Sequence, residues 1–136
     1  MTAIPCILGR ISREEFLAEY WQKKPLLIRN AIADFQPPID ADDLAGMALE
    51  EEVESRIVVE QDWQLKYGPF TEETFASLPA EKWTLLVQAV DLWIPEVAEI
   101  LEKFDFLPKW RIDDIMVSYA ADGGSVGPHF DYYDVF

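Results

Sequence analysis

The stretch Gly123-Gly124-Ser125-Val126-Gly127-Pro128-His129-Phe130-Asp131-Tyr132-Tyr133-Asp134 decides how this chain reads. A diglycine turn and a Gly-Pro step lead into an aromatic run, and the pattern predicts a strand over Val126 to Phe136. On a strand, residues two apart share a face, so His129 and Asp131 would project together with Phe130 on the other side. One imidazole nitrogen and one carboxylate oxygen are two legs of a facial metal triad, an arrangement that leaves adjacent coordination positions open. A bare His-x-Asp is common. The plain alternative is a strand-end histidine beside a hydrogen-bonded aspartate.

Working back from that motif, Asp122 to Ser125 reads as a turn and Ile115 to Ala120 as a strand, entered through Trp110-Arg111-Ile112. Met116 and Ser118 share one face of that strand and are candidates to line a cavity, with ordinary strand packing as the simpler reading. Arg111 is expected to form a local ion pair with Asp113 or Asp114. Pro95 suits the first position of a helix whose buried face is Val97, Ile100, Leu101 and Phe104. Trp83 to Trp93, the most apolar stretch, predicts a central strand. Thr71 opens a short helix carrying Phe75 and Leu78 inward. Arg56 to Glu60 and Trp63 to Tyr67 read as strands joined by a tight turn at Gln61-Asp62.

Further toward the N-terminus, Asp40 caps an expected helix to Glu52, with Leu44, Met47 and Ala48 on one face. The Glu50-Glu51-Glu52 run is read as a solvated helix end. Phe35 to Pro38 reads as a loop, and Leu26 to Arg29 as a short buried strand. Ser12 with Glu15 three residues on is a capping-box pattern ahead of Phe16, Leu17 and Tyr20. The expected class is α+β, with helices in the first two-thirds and strands dominating the last third.

The 136 residues include 26 acidic and 11 basic side chains, a formal net charge of −15, and are 50% hydrophobic and 13% aromatic. That is too apolar for a disordered acidic tail. The length suits one unit with a real core. The acidity argues against direct nucleic-acid or anionic-membrane partners and favours a basic one. Cys6 is the only cysteine, so no disulfide within the chain is possible. No signal peptide is read at the N-terminus, and no apolar run approaches membrane-spanning length, so a cytoplasmic setting is expected.

The stretches Trp110 to Tyr119 and Gly123 to Phe136 strongly resemble the JmjC-type cupin oxygenases, in particular the bacterial ribosomal oxygenases, which hydroxylate an arginine of a large-subunit ribosomal protein. Tyr20-Trp21-Gln22-Lys23-Lys24-Pro25-Leu26-Leu27-Ile28 looks like the opening of that branch. The resemblance implies a double-stranded β-helix core that begins at residues 110–136, preceded by an N-terminal elaboration over 1–109. It implies Fe(II) as metal, 2-oxoglutarate as cosubstrate with O₂, and His129 and Asp131 as the first two iron ligands. Asp122, in the turn before the metal strand, would suit an arginine guanidinium, which favours bidentate carboxylates. The alternative is that Asp122 merely shapes the Asp-Gly-Gly turn. Tyr132, Tyr133 and Phe136 are expected to pack rather than to touch a cofactor.

His129 is the only histidine, so the third ligand of the triad is not in this sequence. Nor is the downstream basic residue that holds 2-oxoglutarate in the family. The expectation is therefore an N-terminal part of a longer hydroxylase, inactive by itself. Two alternatives stay open: an interaction module without catalysis that binds a basic partner, and a cupin-type protein using another metal.

Overall fold

The computed structural model describes residues 7–136; Cys6 lies outside them. The chain divides into two compact units, one of Met1–Pro37, Glu99–Asp113 and Asp131–Phe136, the other of Pro38–Ala98 and Asp114–Phe130.

The second unit is built on a four-stranded antiparallel sheet of order β2-β1-β3-β4, with β1 at Ser55–Val59, β2 at Gln64–Tyr67, β3 at Trp83–Val87 and β4 at Val117–Ala120. The β-branched residues Ile57, Val58, Val59, Thr84 and Val87 favour this pleated, two-sided burial. The register sets Ile57 opposite Leu85 and Ser55 opposite Val87. Ile57, Leu85 and Val87 thus share the face that packs with Leu44, Ala48, Val53, Phe70, Val90 and Val97.

Three short helices serve that core. Helix α2 (Ala41–Met47) starts with a reciprocal capping box: the Asp43 amide donates to Asp40 Oδ1 at 2.8 Å, and the Asp40 amide donates to Asp43 Oδ2 at 3.3 Å. It delivers Leu44, and Ala48 just beyond it, to the core, but ends at Met47 rather than Glu52. Glu50 to Glu52 are exposed, in turns. Helix α3 (Glu72–Ala76) is capped by Thr71, whose hydroxyl accepts from the Thr74 amide. Bonds from its own backbone N–H and from Thr71 hold the Glu73 carboxyl below the usual range. That lowering favours the folded state above the ordinary carboxylate pKa, and the contribution fades as pH falls through the lowered one. Helix α4 (Pro95–Ala98) starts at the proline and buries Val97.

The first unit has its own core of Ile7, Leu8, Phe16, Phe106 and Leu107. Ser12 caps α1 (Arg13–Glu15), its hydroxyl accepting from the Glu15 amide at 3.0 Å, and the chain continues as a π-helical turn over Phe16–Tyr20. Phe106 meets Phe16 edge to face and Phe104 at a tilt, and Phe136 adds its ring edge to face at 5.0 Å from Phe104. A 3₁₀ stretch over Glu99–Phe104 continues the chain after α4. Arg13 pairs with Asp105 at 2.8 Å.

Four expectations are corrected. Leu26 to Arg29 is an extended segment without a ladder; Leu26 and Ile28 are half-buried while Leu27 is 74% exposed, so the apolar alternation anchors a loop rather than making a strand. The apolar run after Trp83 stays a strand only to Val87; Ala89 takes a left-handed φ of 53° and a 3₁₀ turn follows over Val90–Leu92. Strands do not dominate the last third: three of the four lie between Ser55 and Val87. Arg111 makes no ion pair among the described residues; its guanidinium lies over the Trp21 ring at 4.7 Å and over Trp110 at 5.5 Å, a cation–π arrangement. Asp114 accepts instead from the Ala89 amide at 2.7 Å and from the side-chain Nε2 of Gln88 at 2.9 Å.

Candidate metal centre

The segment that carries His129 is positioned by the back of the sheet. Val58, Thr84 and Leu86 lie on the face opposite Ile57 and are 8%, 3% and 7% exposed. After β4 the chain turns at Asp122-Gly123, with Gly123 at φ +69°. The Ala121 amide donates to the Trp83 carbonyl at 3.0 Å and the Lys82 amide to the Asp122 carbonyl at 2.8 Å. Residues 124–127 then run over this second face: the Thr84 hydroxyl donates to the Ser125 carbonyl at 3.3 Å, and Gly127 meets the Trp63 indole.

Gly124 is required there by space. A Cβ on it would stand 2.3 Å from the Trp83 carbonyl oxygen and 2.9 Å from that of Ala121, both backbone atoms. Gly124→Ala is therefore expected to cost about 1–3 kcal/mol, the usual range for overpacking. A chemical-denaturation midpoint equal to that of the parent would show that the segment does not press on β3.

The expected strand over Val126 to Phe136 does not form. Gly127 sits at φ +75°, outside extended geometry, and Pro128 brings no amide hydrogen to a ladder. Residues 128–136 are all exposed. The common face of His129 and Asp131 is thus not imposed by a sheet, and the boundary between the two units falls between Phe130 and Asp131.

What the structure does fix is the imidazole. His129 Nδ1 lies 2.9 Å from the Gly127 carbonyl oxygen. A carbonyl only accepts, so Nδ1 carries a hydrogen in this contact. Ligating histidines commonly donate their other ring N–H to a backbone carbonyl or a carboxylate in this way. The donor set, one imidazole and one carboxylate, fits a borderline divalent ion such as Fe(II). Among the described residues no group of three or more His, Cys, Asp or Glu side chains could hold a metal.

The other candidates are placed as follows. Asp122 is exposed in its turn, where its carbonyl accepts from Lys82. Met116 lies just before β4, 43% exposed, its sulfur 3.7 Å from an Arg56 guanidinium nitrogen; Ser118 sits on β4 opposite Leu86. Tyr132 and Tyr133 are exposed, whereas Phe136 reaches the phenylalanine cluster of the first unit.

The JmjC domain family matches residues 99–136. The chain is 46% identical over 134 residues to the "Probable ribosomal oxygenase" of Haemophilus influenzae, covering 96% of this chain and 33% of that protein. It is 48% identical over 124 residues to the "Ribosomal protein uL16 3-hydroxylase" of Escherichia coli K12, covering 90% and 33%. Among solved structures, YcfD, a ribosomal oxygenase from Escherichia coli, superposes with a TM-score of 0.83 at 44% identity over 90% of this chain and 34% of that one. The same protein in complex with cobalt and 2-oxoglutarate matches with the same TM-score of 0.83. This chain therefore spans about a third of the length of the relatives it matches. Over that third, sequence and fold together make the chain similar to JmjC-type ribosomal oxygenases.

Proposed function

We propose that this chain carries the first two iron ligands, His129 and Asp131, of an Fe(II)- and 2-oxoglutarate-dependent protein hydroxylase whose substrate is an arginine of a large-subunit ribosomal protein. The observation that carries the reading is the likeness to a structure holding both cobalt and 2-oxoglutarate, at high structural similarity and well over a third identity. Cobalt(II) and Fe(II) share a taste for imidazole and carboxylate donors. Bound iron, with 2-oxoglutarate and O₂, supplies the power to put one oxygen atom on an unactivated C–H bond, the other going to succinate as CO₂ leaves. The chain's own part is to present the His129 imidazole and the Asp131 carboxylate at the start of the barrel over residues 110–136.

With two ligands of three, the 136-residue chain alone is proposed to be inactive. If the purified chain converted 2-oxoglutarate to succinate with iron and oxygen, that half of the proposal would be wrong. The net charge of −15 supports a basic substrate, because complementary charge speeds encounter, and it disfavours nucleic acid as a direct partner. No described helix is long and apolar enough to cross a membrane; the reaction is proposed to take place in the cytoplasm, where ribosomal proteins are met. Mass spectrometry of ribosomal proteins from cells with and without the gene tests the reading: one large-subunit protein should lose the mass of one oxygen atom when the gene is removed. Identical masses throughout would overturn it.

Asp122 is proposed to face the substrate guanidinium. In the whole protein, Asp122→Ala should raise KM for the ribosomal protein by roughly tenfold or more, as loss of a charge-assisted bond does, and leave uncoupled 2-oxoglutarate turnover unchanged. An unchanged KM would return Asp122 to shaping its turn.

A further inference from the structure

Strand β4 is four residues long and lies at one edge of the sheet. Ser118, Tyr119 and Ala120 are exposed, and Val117 is half-buried at the margin of the core. Apart from Val117 and the Trp83–Tyr119 ring contact at 5.6 Å, the strand's own side chains do little to hold it in place. The register of such a strand is weakly specified. A slip of one residue would turn every side chain to the other face and move the strand by about 3.3 Å. The pairing of Val117 with Val87 therefore calls for support from beyond β4 itself.

That support is a row of polar groups across the end of three strands. From β1, an Arg56 guanidinium nitrogen donates to Gln88 Oε1 at 3.2 Å, and Gln88 Nε2 donates to Asp114 Oδ2 at 2.9 Å. The order Arg56, Gln88, Asp114 follows the order β1-β3-β4 in the sheet. The same Asp114 oxygen accepts from the Ala89 amide at 2.7 Å. Asp91 answers from the other segment, its Oδ1 accepting from the Ile115 amide at 2.8 Å, and the Val90 amide donates to the Ile115 carbonyl at 2.9 Å. Residues 89–91 and 114–115 thus each receive a carboxylate from the other. Ala89 holds its left-handed φ of 53° inside this clasp, and backbone in that region persists where the surroundings over-determine it. Bonds to a carboxylate are charge-assisted and stronger than neutral ones. All of these residues belong to the second unit.

We infer that Asp114 and Asp91 are positioning residues for the Asp122 turn: together they fix where β4 begins, and so where it ends. The ladder runs from Val87–Val117 to Thr84–Ala120. Directly beyond it the Ala121 amide bonds to the Trp83 carbonyl and the Asp122 carbonyl to the Lys82 amide. A strand gripped at its start delivers that turn to one place. A strand released there can pair one step out of register, which displaces Asp122 by about 3.3 Å, more than a hydrogen bond to a substrate guanidinium tolerates. The inference deepens the substrate reading of Asp122 above and rests on it for its use, while the register itself can be measured with neither metal nor substrate.

In the 136-residue chain, NMR contacts between Leu85 and Tyr119 and between Leu86 and Ser118 report the register, and hydrogen exchange at the Ala121 and Lys82 amides reports the far end of the ladder. Asp114→Ala should weaken those contacts and speed exchange at both amides by about tenfold or more. Asp114→Asn, whose amide oxygen still accepts from Ala89 and Gln88, should keep the wild-type pattern. Amide-shift dispersion across β1 and β3 checks that each variant is folded. Wild-type contacts and exchange in folded Asp114→Ala overturn the inference. Should Asp114→Ala fail to fold, Asp91→Ala, which takes the acceptor from the Ile115 amide, decides in its place with the same readings. In the whole protein, Asp114→Ala should raise KM for the ribosomal protein by about tenfold and change kcat by less, and Asp114→Asn should stay near the parent. An unchanged KM in folded Asp114→Ala overturns the link to Asp122. A whole protein that hydroxylates no ribosomal protein overturns the function proposed above, and the NMR readings still decide the register.

Discussion

Replacing His129 by alanine in the whole protein is expected to abolish iron-dependent hydroxylation while leaving the fold intact. The side chain supplies the one imidazole this sequence has to offer. Deleting a direct ligand should cost more than the roughly 10–100-fold typical of an outer-shell partner. Asp131→Ala should do the same by removing the carboxylate leg. A parallel thermal melt separates lost activity from lost structure. The readouts are succinate release and the mass gain of one oxygen on the ribosomal substrate. Either variant retaining turnover would remove that residue from the ligand set.

Leu85→Ala is expected to be the most destabilising single truncation. Leu85 is 1% exposed, at the centre of β3, opposite Ile57 on one side and Tyr119 on the other. It packs in the cluster with Leu44, Val53, Phe70 and Val97. The sheet has strands on both sides of it, which limits collapse into the space left behind. Leucine-to-alanine changes at such sites cost about 2–5 kcal/mol, against a total domain stability of about 5–15 kcal/mol. The measure is the shift of the denaturation midpoint at constant slope. A cost under about 1 kcal/mol would show the core to be far more yielding than its burial indicates.

Local chemistry carried much of the fold into the sequence. Ser12, Asp40 and Thr71 cap the helices that follow them, because each offers a side-chain acceptor to amides that have no partner at a helix start. The strands at Ser55–Val59, Gln64–Tyr67 and Val117–Ala120 were visible as β-branched or alternating runs. What stayed hidden depends on neighbours. Leu26 to Arg29 and Val126 to Phe136 carry strand-like composition but form no strand, since a strand exists only through a ladder, and Gly127 and Pro128 interrupt the second run. For the candidate site, spacing and the family resemblance put forward His129 and Asp131, whereas the approach of Gly127 to Trp63, 64 positions away in sequence, is made only by the fold.

The exposed aromatic run after Gly127 has a colloidal consequence. Phe130, Tyr132, Tyr133 and Val135 show 77%, 95%, 60% and 74% of their surface to solvent, and apolar surface gathered in one place promotes association between copies. The net charge of −15 opposes that association by mutual repulsion, which acts over a Debye length of about 30 Å at 0.01 M salt and about 3 Å at 1 M. Dispersion of the chain should therefore be salt-controlled, with these apolar side chains kept apart by long-range repulsion in dilute buffer and brought into contact as the ionic strength rises.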